Sequence, residues 1–180
     1  MAAIDRRQAG LARRLAASLY ECLLLGALAA AVGLVLLPLT GTGTAGPAPV
    51  LPGTGARALS FACLFTVLGV YCIALWSRGR RSLPMHTWGL TLSTVAGAPL
   101  SPGRAALRYL GGWIGPACTI VAYLILRPYG LRRWAAALLM VNYAWALVDR
   151  DRQFLHDRLA GTRLLRTAAA PRTAAPPSER

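Results

Sequence analysis

The chain has 180 residues, 56% of them hydrophobic, and a formal net charge of +14. Its polar residues gather into short patches between long apolar runs, which excludes an ordinary soluble domain and is the pattern of a protein that lives in a bilayer. All twenty basic residues are arginines at the ends of apolar runs, where they meet anionic lipid headgroups; no aromatic–basic interleaving or zinc-ligand spacing argues for nucleic acid.

Residues 1–13 read as a short polar arm carrying Arg6, Arg7 and Arg13. Arg14 opens the first apolar run, and from Leu15 to Leu39 the one charge is Glu21. That run is long enough to cross a bilayer as a helix, and too long for the apolar core of a signal peptide, so a retained anchor is expected. Thr40 to Ala56, rich in Gly, Pro, Thr and Ala and free of charge, reads as a flexible loop. A second span follows from about Ala58 to Trp76, with Trp76 expected at the interface.

Residues 77–104 are the most informative stretch outside the spans. Arg78, Arg80 and Arg81 follow the second span, and Arg104 and Arg108 lead into the third. Between them Trp88, Leu90, Leu92 and Val95 alternate in part, and Ala96-Gly97-Ala98-Pro99 supplies turn chemistry. A small β-hairpin or amphipathic patch on the cytoplasmic surface suits this pattern. The third span covers about Ala105 to Leu126, where Gly111, Gly112 and Gly115 allow close helix approach and Pro116 frees a backbone carbonyl. The fourth, Trp134 to Val148, is short for a span and brings Asn142 with it. Residues 167–180, a tail of Ala, Pro, Thr, Ser and Arg, should be disordered.

The expected architecture is therefore an all-α membrane protein of about four transmembrane helices, with a domain over residues 14–166. Arginine placement puts both termini and the 77–104 loop in the cytoplasm. Arg127, Arg132 and Arg133 then lie outside, against the rule, but a three-span chain would strand Arg150, Arg152, Arg158, Arg163 and Arg166 there instead. Four spans violate it less.

Six residues stand out as an intramembrane polar or ion site. Arg14 and Glu21 lie seven positions apart on one helical face, and Asn142 and Asp149 repeat that spacing in the fourth segment; His156 and Asp157 follow. If the first and fourth segments pack together, these residues form one polar layer. It reads either as an ion or proton site centred on Glu21 or as a charge network that pins the helices. Cys22, Cys63, Cys72 and Cys118 all lie in apolar segments without a C-x-x-C pair, and the two histidines are isolated, so neither a metal nor a cofactor is expected. The serines stand in no G-x-S-x-G context, and no enzyme chemistry is expected.

The stretch Arg13-Arg14-Leu15-Ala16-Ala17-Ser18-Leu19-Tyr20-Glu21 resembles the opening of RDD-family membrane proteins, named for one arginine and two aspartates. The closing Leu155-His156-Asp157-Arg158-Leu159-Ala160-Gly161-Thr162 is similar to that family's L-H-D-x-L-A-G-T motif, and Gly97-Ala98-Pro99-Leu100-Ser101 to its turn before the next helix. The resemblance covers about residues 11–166. It makes Arg14 the family arginine and Asp157 the second aspartate, with Glu21 in place of the first. Leu83-Pro84-Met85-His86-Thr87-Trp88 departs from the family's G-x-T-x-G-K/R pattern. The resemblance implies a bacterial inner-membrane protein connected with transport, in some members with sodium/proton antiport. A small transporter or transporter subunit for ions or another small solute is expected, as a homo-oligomer or beside another membrane protein; a non-transporting scaffold or assembly partner is the alternative.

Overall fold

The computed structural model describes residues 4–39 and 52–167. The expected 40–56 loop falls mostly outside them, as does nearly all of the 167–180 tail. In chain order the elements are β1 (Ile4–Gln8), α1 (Leu11–Leu36), α2 (Thr54–Trp76), α3 (Leu83–Thr87), β2 (Leu90–Thr94), α4 (Pro102–Gly112) and α5 (Ile114–Leu126). After a 3-10 stretch, Arg132–Met140, come α6 (Val141–Ala144), a further 3-10 turn at Trp145–Leu147, α7 (Leu155–Ala160) and β3 (Thr162–Thr167).

Among the described residues three helical segments are long and apolar enough to cross a membrane: Leu11–Leu36, Thr54–Trp76 and Pro102–Tyr129. Runs of Ala and Leu without proline favour α1 and α2; α1 passes into a 3-10 turn at Leu37–Leu39, where Pro38 withdraws its amide. Their outward faces stay bare: Leu19 and Leu23 are each 65% exposed and Val35 72%. Side chains of that size are left uncovered in such rows where the surrounding medium is itself apolar.

Four sequence expectations change. The fold is mostly helical but not all-α, because a three-stranded antiparallel sheet of order β1-β3-β2 closes one end. The 77–104 segment forms no hairpin. After the left-handed pair Arg78 and Gly79 it makes the short α3, begun at Leu83 behind Ser82 with Pro84 in its first turn, and then the single strand β2. The partner of β2 is β3, in the register Leu90↔Arg166, Leu92↔Leu164 and Thr94↔Thr162. The turn at 94–98 is present: Gly97 takes φ +83°, and Thr94 N–H donates to the Ala98 carbonyl at 2.8 Å. Third, the Ala105–Leu126 span is two helices joined at Trp113. Fourth, the Trp134–Val148 segment is largely 3-10 helix rather than one α-helix. α4 begins at Pro102, with the Ser101 hydroxyl accepting from Arg104 N–H at 3.3 Å.

The main core lies where the helices meet the sheet. Leu90 and Leu92 of β2 and Leu164 of β3 are buried with Met85, Leu100, Ala105, Cys72 and Trp76. Trp76, at the end of its span, is only 7% exposed and packs against protein.

Candidate functional site

Just inside the helical bundle from the sheet lies a cavity of about 380 Å³ between α1, α2, α4, α5, α6 and α7. Glu21, Trp76, Arg108, Asn142, Tyr143 and His156 line its polar end; Leu25, Leu68, Trp113, Pro116, Leu139 and Met140 line the rest. Glu21 sits ten residues into α1, about 15 Å along the axis at 1.5 Å per residue.

The polar end is organised by a pair that spans 49 positions of sequence. Arg108 Nε donates to Asp157 Oδ1 at 2.7 Å, with Arg108 4% and Asp157 1% exposed. The same carboxylate oxygen accepts from the Thr162 hydroxyl at 3.1 Å. Gly161, left-handed at φ +61°, ends α7 and turns the chain so that Thr162 comes back under Asp157. Burial pushes the Asp157 carboxyl up, but the Arg108 guanidinium and the hydrogen bonds outweigh it and hold the group below its ordinary value. The Arg108 guanidinium also lies over the Trp76 ring, 4.3 Å from its centroid. One charge pair and one aromatic face thus fix α2, α4 and α7 together.

His156 stands beside this pair, its Nε2 3.4 Å from Arg108 Nη2 and 3.8 Å from Asp157 Oδ1. Burial drives the imidazole down to about 4, with Asp157 opposing and Arg108 adding to the fall. It is therefore neutral near pH 7 and makes no ion pair with Asp157. With Nε2 accepting from the guanidinium, Nδ1 carries the proton, and it has no partner among the described residues.

Glu21 is held from the other side, its Oε1 accepting from Trp76 Nε1 at 3.1 Å. The Trp76 indole therefore touches both charges, its N–H on Glu21 and its face on Arg108. Among the described residues Glu21 forms no ion pair within 4.0 Å. Asn142 is buried, and its Nδ2 donates to the carbonyls of Gly111 at 3.2 Å and Gly112 at 3.0 Å. The Gly112 carbonyl is the one that Pro116, four residues on, cannot satisfy, so Asn142 closes the gap that the proline opens. Its own Oδ1 has no partner among the described residues.

Of the six residues singled out from sequence, Glu21, Asn142 and His156 line the cavity, and Asp157 sits behind Arg108. Arg14 and Asp149 do not join that layer. Arg14 turns away from Glu21: its Nη2 donates to the Arg152 carbonyl, and its guanidinium carbon is 5.4 Å from the Phe154 ring centroid. Asp149 caps the turn that follows, Oδ2 accepting the Asp151 and Gln153 amides at 3.1 and 3.0 Å. That turn carries Arg152 at φ +50° and presents its carbonyl to Arg14. Arg108 and Trp76 were missed as site residues. Arg108 lies six residues into a helix apolar enough to span, where an ionisable group needs a partner, and that was the available signal.

Long apolar helices around a cavity with one polar end make this a membrane protein. The model of the RDD family matches residues 8–161, and the chain belongs to the RDD family. No curated protein and no solved structure matches it.

Proposed function

We propose that the protein is a small transporter or transporter subunit for ions or another small solute, with Glu21 as the group that takes the cargo or its coupling ion. The observation that carries this reading is a carboxylate on the cavity wall with no ion pair within 4.0 Å among the described residues. An ionisable group at such depth is costly and persists where it serves a path or a partner. The pre-formed Trp76 hydrogen bond orients the carboxylate toward the cavity and leaves Arg108 committed to Asp157.

In the membrane the chain has four crossings, both termini on the cytoplasmic side of a bacterial inner membrane. Support comes from the sheet: β1, β2 and β3 derive from the N-terminal arm, the 77–104 segment and the C-terminal arm. Strands that hydrogen-bond to one another lie on one side of a bilayer, so each pair of helical segments between them must return. The 3-10 stretch and α6 supply the fourth leg, packed along α5. Arg78, Arg80 and Arg81 then face anionic headgroups. One chain of this size encloses a path most readily as a homo-oligomer or beside another membrane protein.

The test is proton movement in proteoliposomes under matched sodium, potassium and lithium gradients, comparing wild type with Glu21→Gln. Ion-dependent flux that vanishes in a folded Glu21→Gln protein is expected. Flux unchanged by the substitution, or none from well-oriented wild type, would refute the reading and favour a non-transporting scaffold.

A further inference from the structure

The chemistry of the cavity narrows what it can hold. Its volume of about 380 Å³ falls in the range of small-molecule sites and is far more than a dehydrated alkali ion fills. Among the described residues no group of three or more His, Cys, Asp or Glu side chains stands together to hold a metal ion, and of the acidic residues the cavity wall carries Glu21. An anion is disfavoured, because the cationic group in the lining, Arg108, already has Asp157 at 2.7 Å. What the lining holds without an ion pair among the described residues is a negative charge, Glu21. The other walls are aromatic and aliphatic: Tyr109, Trp113 and Tyr143 with Leu25, Leu68 and Met140.

We infer that this cavity binds a monovalent organic ammonium carrying an apolar or aromatic body. An N–H-bearing ammonium neutralises that charge and donates to the Glu21 carboxylate. Aromatic faces attract the same charge, and the apolar body fills the volume toward Leu25 and Met140. Recognition is graded by chemistry: the charge selects at Glu21 and the size at the apolar end. The inference rests on the proposed function only in sharing its site, since it concerns binding rather than movement.

The experiment is equilibrium binding of 2-phenylethylammonium to the full-length protein in nanodiscs of phosphatidylglycerol alone, which contain no ammonium lipid. Saturable binding is expected for wild type, weakened about ten-fold or more for 2-phenylethanol and for Glu21→Gln, since a desolvated charge-assisted hydrogen bond is lost in each. 3-Phenylpropionate should not compete. Adding phosphatidylethanolamine separates two sources of the same chemistry: displacement assigns the site to a lipid ammonium, and no displacement to a soluble amine. Equal binding of the alcohol and the ammonium would overturn the inference without any variant, as would no saturable binding or an unchanged affinity in folded Glu21→Gln. Amine binding without flux refutes transport and leaves this inference standing; sodium-coupled flux without amine binding does the reverse.

Discussion

Acidification should unlock the fold through His156. The imidazole is buried, neutral, and pushed down to about 4 from an ordinary 6.5. A chain that unfolds binds a proton on this histidine below pH 6.5, while the folded chain does not until about pH 4. The associated stability is therefore complete above 6.5 and is lost as the pH falls toward 4. Between pH 7.5 and 4.5 the loss amounts to about 2–3 kcal/mol, from the separation of the two states' protonation. Asp157, held below its ordinary 3.8, keeps its contribution throughout this window and loses it only at still lower pH. In detergent micelles the apparent melting temperature of wild type should drop by about 5–10 °C over the range, and that of His156→Gln by much less. An equal drop in the two proteins, or a flat wild-type profile, would refute the reasoning.

Removing the carboxylate in Asp157→Ala strands a buried guanidinium and should cost about 3–5 kcal/mol, read as lost monodisperse yield and melting temperature; replacing the pair together, Arg108→Met with Asp157→Leu, should recover most of it. The glycines of α4 and α5 give a graded series by the same melt. A Cβ at Gly115 would stand 2.8 Å from the Leu139 carbonyl oxygen and one at Gly111 3.2 Å from His156 Cα, whereas Gly112 has nothing within 4 Å. Gly115→Ala and Gly111→Ala should therefore destabilise by about 1–3 kcal/mol, and Gly112→Ala should be neutral or slightly stabilising.

Features carried by local pattern could be read from the chain alone: the first two spans, the turn at Gly97, the carbonyl freed by Pro116, and the motif around Asp157. Features made by partners distant in sequence could not. Leu90-Thr91-Leu92-Ser93-Thr94 alternates like a strand, but nothing near it says that its partner begins at Thr162. Arg108 looks like one more arginine flanking an apolar run, and only the return of α7 against α4 makes it the counter-ion of Asp157. Trp76 occupies an interfacial position by count, yet its indole is claimed from both sides, by Glu21 and by Arg108. Arg14 and Glu21 share a face as their spacing predicts. A shared face does not make a pair, and Arg14 found a carbonyl in the turn that Asp149 builds.

The strand order has a consequence for biogenesis. Among the described residues β3 is the last strand and occupies the middle of the sheet, so neither β1 nor β2 has its partner until it arrives. At translation rates of about 5–20 residues per second, β1 waits roughly 10–30 s with open edges while the helices enter the bilayer. The sheet acts as a clasp fastened last, and its closure depends on the preceding helical legs having returned to the side where the first strand is waiting.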